Sequence, residues 1–275
     1  MSGRKAFPYL LLVVGSACFV MPLLIMLLTS VKPSGEVMAI PPRLLPSELR
    51  WDNYSEAFKI VDFKRHYLNS IFVVSCCVVG NVLTAALCAF GFARLRAPGR
   101  DKLFMLFLAT IMLPPQVTMV PVFIMFSKLG WVNSYKPLII PAFLSGGAFN
   151  VFLLRQFFMT IPRELEEAAE IDGCSRFGIF WRIFVPLSRP ALITVGIFAF
   201  MTNWNDFISP LIYLHDQEKY TLALSLNLFK GMLVSKTPWG PLMAASAMMI
   251  LPLVVLFFAL QRYFVQGVTV TGLKS

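Results

Sequence analysis

Six long apolar runs, almost free of charge, constrain the fold of this chain more than any other feature of its sequence. They cover residues 9–31, 68–93, 103–127, 137–159, 190–214 and 241–261. The chain has 24 Lys and Arg and 14 Asp and Glu residues, yet the runs contain only Arg155 and Asp206. A membrane core about 30 Å thick needs about 20 apolar helical residues. The runs therefore predict an all-α, polytopic membrane protein with six transmembrane helices, forming a single transmembrane domain over residues 1–275.

The composition fits the same class of protein. Apolar residues make up 57% and charged residues 14% of the chain, whereas soluble domains carry about 45–50% and about 25%. The net charge of +10 would also fit nucleic acid, but most of the arginines flank the runs, as is typical of membrane helices. We therefore expect contact with membrane lipid and none with nucleic acid. The five cysteines lack a CxxC spacing and mostly lie in the runs, so no metal site is expected.

The short loop after the second run indicates the orientation of the chain. It carries four cations between Arg94 and Lys102, and the positive-inside rule places such a loop in the cytoplasm. With six spans, both termini are then cytoplasmic. Arg4 and Lys5 before the first run would also fit a signal peptide, but this run is too long and lacks a small-residue cleavage site. The sequence thus predicts a multi-pass protein of the cell membrane, that is, the inner or plasma membrane.

Prolines interrupt most of the runs. The Pro114-Pro115-Gln116 sequence and Pro121 lie in the third run, where each proline removes a backbone donor and bends a helix. Two interpretations stay open: the bends are packing irregularities of a helix bundle, or the third span curves around a transport path.

Residues 160–189 form an unusually long loop at the predicted cytoplasmic surface, with the pattern of two short helices. Pro162 suits a first helical turn, and the acids that follow it favour the positive N-terminal end of a helix. Gly173 suits a left-handed exit from that helix, and Ser175 can cap the next one. Four aromatic residues would share one face of the second helix: Phe177, Phe180, Trp181 and Phe184.

This aromatic face must be covered by something. It could pack against the chain's own spans or lie in the lipid interface. It could instead dock on a partner, which is favoured because Glu164, Glu167 and Glu170 lie on one side of the first helix and add anionic contacts.

The long loop closely resembles the EAA loop of ABC importer permeases. The resemblance rests on Glu167-Ala168-Ala169, Asp172-Gly173, Phe180, Ile183, Pro186-Leu187 and Pro190. Other stretches are similar to the MalG-like, binding-protein-dependent carbohydrate permeases: Leu113 to Pro121, Trp204 to Phe207, Pro210 to Ile212, and Gln261 to Lys274. The chain departs from that family at Cys174, where alanine is common, and at its final Lys274-Ser275.

The resemblance implies a MetI-like ABC importer permease fold. It implies a non-catalytic subunit that forms half of the translocation pathway for a sugar or oligosaccharide. The expected partners are a second, MalF-like permease in a heterodimer, two ATP-binding subunits and an extracytoplasmic solute-binding protein. ATP and Mg²⁺ would bind to the partner subunits, because this chain has no GxxxxGK[ST] phosphate loop and needs no cofactor of its own.

The resemblance also implies two regions that contact the ATP-binding subunits. The EAA coupling loop, residues 160–189, would dock through Glu164, Glu167, Ala168, Ala169, Asp172, Gly173, Phe177, Phe180 and Trp181. The cytoplasmic C-terminal tail, residues 262–275, would make contact through Gly267, Thr269, Gly272 and Lys274.

Asp206 lies inside the fifth run, where a carboxylate costs about 2.5 kcal/mol or more unless it is hydrated or paired. In a continuous helix, Asp206 would share one polar face with Thr202, Ser209 and Tyr213, which are spaced at i, i+4, i+7 and i+11. Asn203, Trp204 and Asn205 would broaden this polar patch. Carboxylates, amides and aromatic faces suit sugar hydroxyls and sugar rings, so this patch is a candidate lining of the solute pathway. Alternatively, Asp206 and the asparagines only form hydrogen bonds with neighbouring helices or with the partner permease.

Other functions fit the sequence less well. A member of the same family could import a glycerol-3-phosphate-type or other polyol substrate. An ion-coupled secondary transporter would also be polytopic, but such proteins usually carry several buried ionisable groups, and only Asp206 qualifies here. An intramembrane enzyme finds no support, since the chain has no HExxH motif and its histidines, His66 and His215, lie in a loop and at a span boundary.

Overall fold

The structure, a computed structural model, describes residues 3–37, 39, 41, 43–231 and 237–272. These residues form helices, turns and loops, and no strand occurs among them. They fall into two compact units. The first unit takes in the described parts of residues 1–67 and 222–254, and the second those of residues 68–221 and 255–275.

The helices follow one another along the chain with short connections. The first eight are α1 (Gly3–Ser30), α2 (Ser34–Val37), α3 (Asp52–Ile60), α4 (Phe63–Arg94), α5 (Arg100–Ala109), α6 (Pro115–Lys128), α7 (Lys136–Ile139) and α8 (Ala142–Ser145). The next are α9 (Ala148–Thr160), α10 (Glu164–Ile171), α11 (Arg176–Ile179), α12 (Val185–Leu187), α13 (Arg189–Trp204), α14 (Ile208–Tyr213), α15 (Leu222–Gly231) and α16 (Trp239–Gly272). A π-helical turn, Phe180–Phe184, joins α11 to α12, and 3₁₀ turns lie at Thr110–Met112 and Gln217–Lys219.

Four helical stretches in the described part of the chain are long and apolar enough to cross a membrane: Pro8–Ser30, Phe63–Arg94, Lys136–Thr160 and Trp239–Gln261. Two bent helix pairs raise the number to as many as six if each pair is one span. They are Arg100–Met112 with Pro115–Lys128, bent by 99°, and Arg176–Leu187 with Arg189–Trp204, bent by 81°. Each candidate overlaps one of the six apolar runs.

The third run is broken at its pair of prolines, as predicted. Leu113 has an extended backbone, with φ −80° and ψ 115°, and α6 begins at Pro115. A proline in the first helical turn costs nothing, because the N–H that it lacks would have no partner there. Pro121 lies inside α6. The sharp bend therefore lies at Leu113 and Pro114.

The fifth run is not one continuous helix, so the prediction of an unbroken helix through its polar residues is wrong. Helix α13 ends at Trp204 and α14 begins at Ile208. Pro210 explains the break, because a continuous helix would lose the hydrogen bond from residue 210 to the Asp206 carbonyl and would clash there. Instead, the Asp206 carboxylate accepts a hydrogen bond of 3.1 Å from the backbone N–H of Ser209.

The core of the second unit packs α4 against α9 and the aromatic residues that follow α11. It contains alanines of α4 and large aromatic side chains: Ala85, Ala86, Ala89, Phe90, Phe158, Phe180 and Phe184. The small residues allow the backbones to come close together. At Gly146, where φ is +63°, a Cβ atom would lie 2.4 Å from the backbone nitrogen of Ala85. Only glycine fits at such a contact.

In the first unit, hydrogen bonds hold the end of α1 against α3. The side-chain amide of Asn53 donates hydrogen bonds to the carbonyls of Ser30 (2.8 Å) and Lys32 (2.9 Å). These bonds satisfy carbonyl groups that a helix end leaves free. The hydroxyl groups of Ser30 and Tyr54 lie 2.9 Å apart.

Candidate functional sites

The predicted pair of short helices in residues 160–189 is present as α10 and α11. Glu164, Glu166 and Glu167 lie in the first turn of α10. Gly173 has φ +78°, which confirms the predicted left-handed exit from this helix. The hydroxyl of Ser175 accepts a hydrogen bond of 3.1 Å from the N–H of Gly178, so the predicted cap of α11 is confirmed.

The four aromatic residues of the second helix divide into a buried pair and an exposed pair. Phe180 and Phe184 are 1% and 0% exposed, and their rings contact the ring of Phe90 with centroids 5.4 and 4.9 Å apart. Phe177 and Trp181 are 63% and 42% exposed. The prediction that Phe180 contacts a partner is therefore wrong in this conformation, because its ring fills the core.

Arg94, at the end of α4, holds the two short helices in place. Its Nη2 atom donates to the carbonyls of Phe158, at 2.6 Å, and Ile161 at the end of α9. The Phe158 carbonyl also accepts the backbone N–H of Ile161 at 3.2 Å. The Nη1 atom of Arg94 lies 3.7 Å from the Glu166 carboxylate on α10. Its guanidinium carbon lies 5.0 Å from the ring centroid of Phe184.

Glu166 is the buried acid of α10 and is held from two directions. Besides Arg94, it pairs with Arg176 of α11, which also contacts Glu170 at 2.5 Å. Neither Arg94 nor Glu166 was predicted from the sequence as a structural residue. Glu166 resembles its neighbours in sequence, and no spacing links it to an arginine so far away in the chain.

The outward side of the two helices combines carboxylates with apolar groups. We define the α10–α11 surface as Glu164, Glu167, Ala168, Ile171, Asp172, Gly173, Phe177 and Trp181, all of which are exposed. The predicted contact residue Ala169 is instead partly buried against the core. Ile171 is 86% exposed and was missed by the sequence analysis. Its position as an apolar residue directly before Asp172 and Gly173 could have indicated it.

Five residues of the predicted polar patch line one cavity of about 600 Å³ in the second unit. They are Thr202, Asn203, Asp206, Ser209 and Tyr213. Asn81, Ser145 and Thr221 add polar groups, and the remaining lining is apolar. Asp206 is the only charged residue among the described residues of this lining.

Two residues of the predicted patch lie outside the cavity. Trp204 is 2% exposed, and its ring stacks on Phe200 with centroids 5.3 Å apart. The side-chain amide of Asn205 donates to the carbonyl of Met201 at 2.8 Å. Trp204 is the last residue of α13, and Asn205 lies in the break between α13 and α14.

Arg155, the other charged residue within the apolar runs, is compensated by contacts within the chain. Its guanidinium carbon lies 4.2 Å from the ring centroid of Phe104, and its Nε donates to the Phe92 carbonyl at 3.2 Å. Its Nη2 atom lies 3.6 Å from the Asp101 carboxylate. Packing and pairing therefore account for this charge.

The predicted C-terminal contact region continues the last candidate span as helix. Helix α16 runs without interruption to Gly272 and includes the backbone of Gly267 and Thr269. Lys274 lies outside the described residues. A contact of this region with a partner stays a prediction.

Apolar helices of spanning length, a broken third span and a polar cavity beside α13 and α14 define a multi-pass membrane permease. Residues 81–270 match the family described as the binding-protein-dependent transport system inner membrane component. The chain belongs to this family of transport permeases. Its membership in a binding-protein-dependent family leaves the ion-coupled transporter without support.

Several characterised relatives span nearly the whole chain. The arabinooligosaccharides transport system permease protein AraQ of Halalkalibacterium halodurans is 36% identical over 285 residues, with 99% of each chain covered. The diacetylchitobiose uptake system permease protein DasC of Streptomyces coelicolor is 31% identical, with 98% of each covered. The sn-glycerol-3-phosphate transport system permease protein UgpE of Yersinia pestis is 30% identical, with 96% of each covered.

A solved structure supports the fold. A chain of a bacterial ABC transporter involved in the import of the acidic polysaccharide alginate superposes with a TM-score of 0.82 at 24% sequence identity. The match covers 95% of this chain and 96% of the other. The expected all-α, MetI-like fold of ABC importer permeases is confirmed.

Proposed function

We propose that this chain forms half of the translocation pathway for a neutral sugar or oligosaccharide in an ATP-driven importer. A solute-binding protein outside the cell delivers the solute, and a second, MalF-like permease supplies the other half of the pathway. Two ATP-binding subunits bind ATP and Mg²⁺, and this chain itself is not catalytic. Both of its termini lie in the cytoplasm.

The observation that carries this proposal is the cavity beside α13 and α14. Its polar residues offer the hydroxyl groups of Thr202 and Ser209, the Asn203 amide and the Asp206 carboxylate. Sugar hydroxyls form hydrogen bonds with such groups. The relatives AraQ and DasC, named for arabinooligosaccharides and diacetylchitobiose, agree with this chemistry.

The relative UgpE, named for sn-glycerol-3-phosphate, suggests the alternative substrate. The cavity argues against it for this chain. A phosphate needs Arg, Lys or backbone N–H donors, and the described lining has a carboxylate but no Arg or Lys. A negative charge beside the Asp206 carboxylate would be repelled, because the described lining has no cation to compensate two like charges.

Uptake by the complete transporter in proteoliposomes tests this proposal. Neutral oligosaccharides should be transported and sn-glycerol-3-phosphate should not; the reverse preference would contradict the neutral-sugar assignment. Asp206→Asn keeps an acceptor for the Ser209 N–H, so assembly should survive while uptake falls. Asn205→Ala, next to it but outside the cavity, should transport normally. Normal uptake by Asp206→Asn would exclude a pathway role and leave Asp206 as a cap of α14.

The α10–α11 surface supplies the proposed contact with the ATP-binding subunits. Its exposed apolar residues Ile171 and Phe177 can bury apolar surface against the ATP-binding subunit. Its acidic residues Glu164, Glu167 and Asp172 can pair with basic groups of that subunit. The pairing of Glu166 with Arg94 and Arg176 fixes α10 to the end of α4. A force applied at this surface therefore reaches a membrane-spanning helix.

Co-purification of the ATP-binding subunit tests this contact. Glu167→Lys reverses a charge of the surface, and Gly173→Pro cannot adopt the φ of +78° that this position needs. Both variants should lose the ATP-binding subunit. Glu48→Lys, the same charge reversal at an exposed position on the predicted opposite side of the membrane, is the control. Undiminished association in both test variants would contradict the docking role.

A further inference from the structure

A basic pocket of about 540 Å³ lies beside α10, apart from the solute cavity. It is lined by Leu95 and eight charged residues: Arg94, Arg96, Arg100, Arg163, Glu166, Glu167, Glu170 and Arg176. The arginines outnumber the glutamates, so the lining carries an excess of positive charge. Glu167 of the α10–α11 surface forms part of its wall, but Arg96, Arg100 and Arg163 have no role in the proposed docking or transport.

Contacts within the chain leave part of this charge uncompensated. Arg176 is engaged by glutamates of α10. Arg96 and Arg163, both exposed, make no side-chain hydrogen bond or ion pair with a residue that the structure describes. The Nε atom of Arg94, whose side chain is 4% exposed, also lacks a partner among those residues. These donors are suited to an anion that the chain itself does not provide.

The pocket lies where the candidate spans end. Arg94 is the last residue of the span Phe63–Arg94, and Arg100 begins the bent pair of the third run. A second concave surface, formed by residues 96–102, continues from Arg96 and Arg100. The ends of spans lie at the level of the lipid headgroups. Basic pockets at this level, between spans on the cytoplasmic side, suit anionic headgroups.

We propose that this pocket binds the phosphate group of an anionic phospholipid, with Arg96 and Arg163 as its main ligands. The planar guanidinium group can donate two parallel hydrogen bonds to a phosphate. Leu95, which is 40% exposed, directly precedes Arg96, and Leu103, which is 57% exposed, directly follows the second concave surface. Both side chains can contact an acyl chain. A soluble phosphate would gain the charge contacts but not the apolar ones.

Lipid binding to the purified full-length chain in detergent tests the proposal, by native mass spectrometry and thermal shift. The probes are phosphatidylglycerol, phosphatidylcholine and inorganic phosphate. The wild-type chain should retain phosphatidylglycerol in preference to the other two. Each arginine contributes about a fivefold gain in affinity at a membrane surface, so R96Q/R163Q should bind phosphatidylglycerol about 25-fold more weakly. The control R182Q/R189Q removes two exposed arginines from the same predicted side of the membrane and should bind normally.

Several results would overturn the proposal. These are equal loss in the test and control variants, equal retention of phosphatidylcholine, or saturation by inorganic phosphate without lipid selectivity. If R96Q/R163Q does not fold, R96K/R163K replaces it; this variant keeps the charge but loses the paired donors, and unchanged affinity would count against the arginine geometry. The measurement needs neither the ATP-binding subunits nor the solute, so it stands apart from the tests of transport.

Discussion

The Nη1 atom of Arg94 lies 3.7 Å from the Oε2 atom of Glu166, and the two side chains are 4% and 10% exposed. This buried ion pair connects a membrane-spanning helix to a surface helix outside the candidate spans. Removing one partner of an isolated buried pair costs about 3–5 kcal/mol, but Glu166 also pairs with Arg176 and keeps that partner when Arg94 is lost.

Arg94→Met should destabilise the chain by about 3 kcal/mol or more, because it removes two hydrogen bonds from a charged group to the carbonyls of Phe158 and Ile161. Thermal unfolding in detergent measures this. Arg189→Met, at an exposed arginine without a described side-chain partner, should have little effect. The double variant Arg94→Met/Glu166→Leu should regain part of the loss. Equal stability of the Arg94 and Arg189 variants would contradict a structural role for Arg94.

Gly146 and Gly99 form a matched pair for testing the close approach of α4 to residue 146. Both have positive φ, but a Cβ atom at Gly99 meets nothing within 4 Å, while one at Gly146 lies 2.4 Å from Ala85. Gly99→Ala should cost about 1–2 kcal/mol from the backbone alone. Gly146→Ala should cost about 1–3 kcal/mol more, from overpacking. Equal unfolding temperatures of the two variants would show that the backbones separate without cost.

Ile171 offers a test of the α10–α11 surface that does not disturb the fold. Because this side chain is 86% exposed, Ile171→Ser should change the stability by less than about 0.5 kcal/mol. The Ile171→Ser variant should bind the ATP-binding subunit about tenfold more weakly, as expected for the loss of a side chain at the centre of an interface. Titration of the purified subunit measures this. Leu49→Ser, at a residue 61% exposed outside this surface, should bind normally. Equal binding by both variants would place Ile171 outside the interface.

Asp216 should make one contact between two loops sensitive to acid, namely the joint between Asn133 and residues 215–219. Hydrogen bonds from Lys219 and Asn133 lower the pKa of its carboxyl group below the usual 3.8. Since the pKa is lowered in the folded state, the joint is stabilised above pH 3.8 and loosens as the pH falls through the lowered pKa. The amides of His215 and Asp216 donate to the Asn133 side chain, so their hydrogen exchange, corrected for intrinsic rates, reports the loosening.

Lys219→Met removes the first cause of this lowered pKa. The protection of the two amides should then disappear at a higher pH than in the wild type. Lys128→Met, at the end of α6, is the control and should behave like the wild type. An unchanged pH profile in Lys219→Met would show that the lysine does not control the Asp216 carboxyl.

Local sequence determines much of the α10–α11 region. A glycine at a left-handed exit and a serine at a helix cap each act on neighbouring backbone atoms, so Gly173 and Ser175 could be predicted without knowledge of the rest of the fold. The identity of the buried acid could not. Glu166 is buried and the other acids of α10 are more exposed because Arg94 approaches from a distant helix, and local patterns do not report such approaches.

The candidate cavity shows the same division. The composition of residues 202–213 indicated polar groups in an apolar environment, and five of them line the cavity. The four residues predicted to share one helical face, Thr202, Asp206, Ser209 and Tyr213, all line it, although the chain breaks between α13 and α14. Trp204 and Asn205 were added to this face because they are close to it in sequence, and they do not line the cavity. Trp204 packs on Phe200 within α13 instead.

The continuity of α4 has a mechanical consequence. This helix contains no proline, and it carries Asn81 in the wall of the solute cavity and Arg94 at the contact with α10. The two residues are about 20 Å apart along the helix axis at 1.5 Å per residue. Between them, the backbone of Ala85 lies so close to Gly146 that a Cβ atom there would be 2.4 Å away. We therefore expect a displacement at Arg94 to tilt α4 about Ala85, which would move the cavity wall at Asn81 in the direction opposite to α10.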